Sequence, residues 1–159
     1  FVDVIPLTRR QVMDTQDIRT LADEGVRLAK RGRFREALRL FDEDLGFTQD
    51  PTALSYYAVC LAEEEGIFDK AISLCVMAAE KEFYNPVVYL NLGRILLLNK
   101  QKNIAFKAFR RGLKFDETNA EILSIVEKLC KRRRPVVSFL PRNNSLNRLL
   151  GMFAARLAH

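Results

Sequence analysis

The chain has 159 residues, 48% of them hydrophobic, with only 7 glycines and 5 prolines, which allows one domain with a sizeable core and favours helices over a sandwich or barrel. No stretch approaches the ~20 uncharged apolar residues that cross a bilayer, and the opening FVDVIPLTRRQVMD lacks the basic-then-apolar order of a signal peptide, so a cytoplasmic protein is expected. The net charge of +6 is divided unequally: residues 1–80 carry 10 basic and 15 acidic side chains (−5), residues 81–159 carry 16 and 5 (+11), and an anionic partner would approach the second half first.

Taken in chain order, residues 1–17 form an N-terminal extension. Pro6 and a capping-box spacing from Thr8 to Gln11 leave open whether the first helix begins early or follows a short extra one. Asp50-Pro51 and Asn85-Pro86 each set a capping side chain before a proline whose missing N–H costs nothing at the first helical position. Further on, Tyr89, Leu92, Gly93, Leu96 and Leu97 recur at spacings of three and four, as do Ile104, Ala105, Ala108, Phe109 and Leu113, so two amphipathic helices are predicted there. Thr118-Asn119-Ala120-Glu121 fits a capping box that opens a helix running to about Arg133, with Ile122, Val126, Leu129 and Cys130 on one side. The proline-bounded PVVSFLPRNN after Arg134 reads as an extended strap. From Ser145 a last amphipathic helix sets Leu146, Leu149, Leu150, Phe153 and Leu157 on one face, whose cover is its own repeats, a second copy of the chain, the groove or a membrane. Its two arginines, Arg148 and Arg156, are few for a membrane surface.

The organising feature is a repeat. Ala37, Ala71 and Ala105 are each 34 residues apart in the matching segments GRFREALRLF, GIFDKAISLC and KQKNIAFKAF, which sets repeats at 18–51, 52–85 and 86–119. The period resembles the tetratricopeptide repeat, a helix-turn-helix unit with small and large residues at fixed places. Its small first-helix residue is Gly25, Val59 and Gly93 here, its turn glycine Gly32, Gly66 and Lys100, and the aromatic after the turn Phe34, Phe68 and Lys102. The second helix carries the three alanines, then Phe41, Cys75 and Phe109, while the closing proline is replaced by Gln49, Phe83 and Glu117. The resemblance implies an all-α superhelix, a solenoid of three helix-turn-helix repeats within a domain of residues 18–134, closed by a capping helix at 118–134. Residues 135–159, the strap and amphipathic helix, follow it.

In this family a partner commonly lies in a concave groove lined by the first helix of each repeat. The positions so implied are Arg19, Ala22, Asp23 and Val26; Ala53, Tyr56, Tyr57 and Cys60; Val87, Leu90, Asn91, Arg94 and Leu98; and Ser124, Ile125 and Lys128 on the cap. Tyrosines offer contact area at low entropic cost, Asn91 can bind a guest backbone, and Arg94 a carboxylate. Some relatives grip a peptide's terminal carboxylate with two asparagines, two lysines and an arginine. The corresponding residues here are Ala22, Val26, Tyr57, Val87 and Asn91, which argues against that kind of guest. A scaffold binding a protein or peptide is therefore expected, with self-association through the C-terminal helix as the rival and the strap as an occupant of the groove in the absence of a guest.

Other chemistries have less support in the sequence. Arg110-Arg111 and Lys131-Arg132-Arg133-Arg134 raise nucleic acid, but both runs end helices, where cations are favoured anyway, and no aromatic platform accompanies them in the sequence. The only histidine is His159, no cluster has metal-ligand spacing, and there is no glycine-rich phosphate loop, so neither catalysis nor a cofactor is expected. Glu63, Glu64 and Glu65 read as a solvated helix end. Cys60, Cys75 and Cys130, without CxxC spacing, read as small core residues.

Overall fold

A computed structural model describes residues 15–41 and 49–131, all helix and turn. Seven helices follow in order: α1 (Thr15–Lys30), α2 (Phe34–Leu40), α3 (Pro51–Cys60, continued by a wider π turn, Leu61–Glu65), α4 (Phe68–Lys81), α5 (Pro86–Leu98), α6 (Lys102–Leu113) and α7 (Ala120–Lys131). The chain forms two compact units, Phe1–Ile122 and Leu123–His159, with the division inside α7. The expectations for residues 1–14 and for the strap and last helix of 135–159 fall outside the described residues.

The first unit is a stack of three hairpins, α1–α2, α3–α4 and α5–α6. Helices α1, α3 and α5 lie side by side, and each second helix also packs on the next first helix, α2 on α3 and α4 on α5. The helix starts follow the capping rule: Asp50 Oδ1 accepts the Thr52 N–H at 2.8 Å, and Asn85 Oδ1 accepts that of Val87 at 3.0 Å. At α7 the cap is Asn119, whose Oδ1 accepts from Ile122 N at 3.1 Å. The Thr118 expected there is bound instead, through its N–H and hydroxyl, to Asp116.

The core runs through the matched small and large positions. An added Cβ at Gly25 would lie 2.8 Å from the Phe41 ring, and one at Gly93 only 2.3 Å from Phe109, so each glycine makes the space its phenylalanine fills. The second repeat inverts the pair, with Val59 in the glycine place and Cys75 in the phenylalanine place, both buried. The apolar stripe of α6 is narrower than predicted. Ala105, Ala108 and Phe109 are buried and Leu113 half-buried, but Ile104 is 50% exposed, because it stands at the edge of the helix's packed face. Cys60 and Cys75 are core residues as expected, whereas Cys130 is exposed on α7.

Candidate functional site

The inner row α1–α3–α5 is where the groove residues are expected. Arg19 and Asp23 are exposed on α1 and Val26 is half-buried there. On α3, Tyr56 and Tyr57 are buried, and Tyr57 meets the Phe41 ring edge-on at 5.9 Å. Leu98, at the end of α5, is exposed, and Arg94 is half-buried. Lys128 is exposed on the part of α7 that belongs to the second unit.

Several expected contact residues are inside. Cys60, Leu90 and Asn91, like Ala53 and Tyr56, are no more than 2% exposed, so a guest on this face reaches little of them while the helices stay packed. Asn91 does structural work: its Nδ2 donates to Ser55 Oγ at 2.9 Å, Ser55 donates on to the Thr52 carbonyl at 2.8 Å, and Arg94 Nη1 reaches Asn91 Oδ1 at 3.4 Å. This chain joins α5 to α3 with every buried side-chain polar atom of the described residues satisfied. Arg94, expected to meet a guest carboxylate, is also held within the chain by Glu121. Burial pushes the Cys60 thiol up to about 12, with Glu64 and Glu63 adding to the effect, and burial pushes Cys75 up as well, which disfavours the thiolate at both.

What the row leaves open lies one helical turn farther along. A cavity of about 400 Å³ is lined by Ala29, Lys30, Gly32, Phe34, Tyr56, Val59, Glu63, Arg94, Leu97 and Leu98. Its wall is chiefly apolar, supplied by Phe34, Val59, Leu97 and Leu98. Its charge comes from Lys30 and Arg94 against Glu63. Lys30 Nζ stands 5.6 Å from the centre of the Tyr56 ring. Burial raises the Tyr56 hydroxyl, with Arg94 opposing and Glu121 adding. Burial likewise raises the Glu63 carboxyl, partly offset by Arg94 and reinforced by Glu64. Among the described residues no group of three His, Cys, Asp or Glu side chains is placed to hold a metal ion, and no helix is long and apolar enough to cross a membrane.

No family model and no curated protein matches the sequence. Among solved structures, "First TPR of Spaghetti (RPAP3) bound to HSP90 peptide SRMEEVD" is similar, with a TM-score of 0.60 and 20% identity over 75% of this chain and 94% of that one. The fold is that of a tetratricopeptide repeat domain.

The tetratricopeptide register accounts for the side chains that sequence reasoning missed. Lys30, Glu63 and Leu97 lie three or four residues beyond the named Val26, Cys60 and Arg94, and so continue the same inner faces. In the sequence Phe34 reads only as the aromatic after the repeat's turn. The π turn that holds Glu63 at the rim had no sequence signal.

Proposed function

We propose that this chain is a non-catalytic interaction scaffold that binds a peptide segment of a partner protein along its inner row. The observation that carries the reading is the cavity where α1, α3 and α5 end together, about 400 Å³ and walled by Phe34, Val59, Leu97 and Leu98. That volume suits one large apolar side chain, and apolar walls with few polar groups are the usual makings of a binding pocket. Lys30 and Glu63 at the rim offer one donor and one acceptor to the guest's neighbouring residues.

A guest gripped by its terminal carboxylate, as in the family's peptide clamps, fits poorly. Among the matching positions Ala22 and Tyr57 are buried and apolar, Val26 and Val87 carry no charge, and Asn91 is sealed in its bond to Ser55. The peptide is better read as one anchored by an internal apolar residue. It would act in the cytoplasm.

Selection of a random peptide library on the full chain tests this. Enriched peptides are expected to share an aromatic or aliphatic anchor and to lose at least about tenfold in affinity against Leu98→Glu, which sets a charge at the mouth of the cavity. Peptides that bind Leu98→Glu as tightly as the parent chain would remove the cavity as the site.

A further inference from the structure

The outer helix α6 carries a surface that the inner-row reading does not use. Lys107, Arg110, Arg111 and Lys114 follow the spacing i, i+3, i+4, i+7, so they share one helical face, roughly 10 Å long at 1.5 Å per residue. With Phe115 they line an open hollow of about 470 Å³. All four are exposed, and none has an acidic partner among the described residues. Helix α6 itself, KNIAFKAFRRGL, contains no acid. Asp116, the nearest acid in sequence, is occupied by hydrogen bonds from Asn119 and Thr118, which hold its carboxyl below the usual range.

The helix macrodipole explains why Arg110 and Arg111 are tolerated in the last turn. It explains neither Lys107, a turn earlier, nor the aromatic rings beside the cations. Phe115 stacks on Tyr89 at 5.9 Å with 17° between planes, Arg111 lies 5.3 Å over the Tyr89 ring, and Phe83 meets Phe115 edge-on at 6.3 Å. Phe83 in turn meets Tyr84 at 5.5 Å. Phe83 and Tyr84 are 59% and 58% exposed, an unusual outlay of aromatic surface on the loop between α4 and α5. The sequence separates these rings from the cations by more than twenty residues, and the fold brings them into one patch.

We infer that this patch binds single-stranded nucleic acid, the cations following the phosphates while Phe83 and Tyr84 stack on bases. Exposed cations and exposed rings side by side are what sequence-tolerant single-strand binding requires, because every base has a face to stack and every nucleotide a charge to neutralise. An acidic peptide would use the cations and leave the rings idle. A duplex, with its bases already stacked, would do the same.

Fluorescence anisotropy of the full chain with a labelled 12-mer of oligothymidylate tests the inference, beside the same sequence as a duplex and an Asp/Glu peptide of equal charge. The single strand is expected to bind most tightly. Its affinity should fall roughly 20- to 50-fold between 50 and 200 mM salt, for three to four phosphates contacted. Lys107→Ser/Arg110→Ser/Lys114→Ser is expected to weaken it at least about tenfold, and Phe83→Ala/Tyr84→Ala at least about fivefold. These side chains are exposed, so both variants should keep the parent melting temperature, which shows that the loss is not unfolding. The inference is overturned by absence of binding at 50 mM salt, or by a triple variant that binds like the parent, which would assign binding to the 131–134 run. It is equally overturned if the duplex or peptide binds as tightly as the single strand, or if the aromatic variant loses nothing.

Discussion

At the level of single residues the fold depends on complementary volumes. Gly93 and Phe109 form one pair, Gly25 and Phe41 another, and the ring in each occupies the space where a Cβ would stand. Val59 and Cys75 reach the same sum the other way round, with the larger residue on the first helix. A pair that can be inverted is constrained by volume rather than by the identity of either member. Gly93→Val is therefore expected to destabilise the domain by about 3 kcal/mol, since its side chain would overlap a ring with no room to retreat. Gly93→Val/Phe109→Cys, copying the second repeat, should recover about 1 kcal/mol or more of that loss. Urea unfolding of the parent, both single variants and the double variant measures the coupling, and additive losses would show that the inverted pair is not equivalent.

At the level of elements, the ends of the first helices show what a sequence reveals and what it hides. Gly32 and Gly66 take left-handed backbone angles, φ +75° and +67°, and close their helices in the manner the turn glycine implies. The third repeat lacks the glycine but keeps the geometry: Lys100 stands at φ 60°, and Gln101 N donates to Leu96 O at 2.8 Å as Arg33 N does to Leu28 O at 3.0 Å in the first repeat. The second repeat departs by one residue, with Ile67 N reaching back to Leu61 O at 3.4 Å, because the π turn adds width to the end of α3. The 34-residue period and the Asp-Pro and Asn-Pro caps made the hairpins legible. The π turn was not, since i→i+5 bonding reflects how α3 is packed and carries no residue signature. The site was legible only in part, because register told which helix face turns inward but not that Asn91 would be bonded to Ser55, 36 positions away. Lys100 also carries a removable cost, as a side chain in the left-handed region. Lys100→Gly is expected to stabilise the domain by about 0.5 kcal/mol, the relief of strain exceeding the entropy that glycine loses, and to raise Tm by about 2 °C. A lower Tm in calorimetry would mean that Lys100 is held by something other than the backbone turn.

At the level of the whole molecule, the stack distributes its burial unevenly. Helix α3 packs against α1, α2, α4 and α5, and every residue from Pro51 to Ala62 except the half-buried Thr52 is buried. Helix α2 has α1 on one side and α3 with its π turn on the other, and Arg35, Glu36 and Arg39 face solvent. In a repeat stack the free energy is close to a sum of repeat and interface terms, so an outer hairpin opens by giving up one interface while a central one must give up two. Opening should therefore begin at the outer hairpins and reach α3 last. Native-state hydrogen exchange is expected to show the slowest amides in α3, and amides of α2 exchanging at least tenfold faster, equivalent to about 1.4 kcal/mol less protection. The third hairpin is the other outer one and gives up only its interface to the second when it opens, so the amides of α5 should also exchange faster than those of α3. Equal protection across α2, α3 and α5 would instead mean that the hairpins open as one unit, which the independent caps at Asp50 and Asn85 argue against.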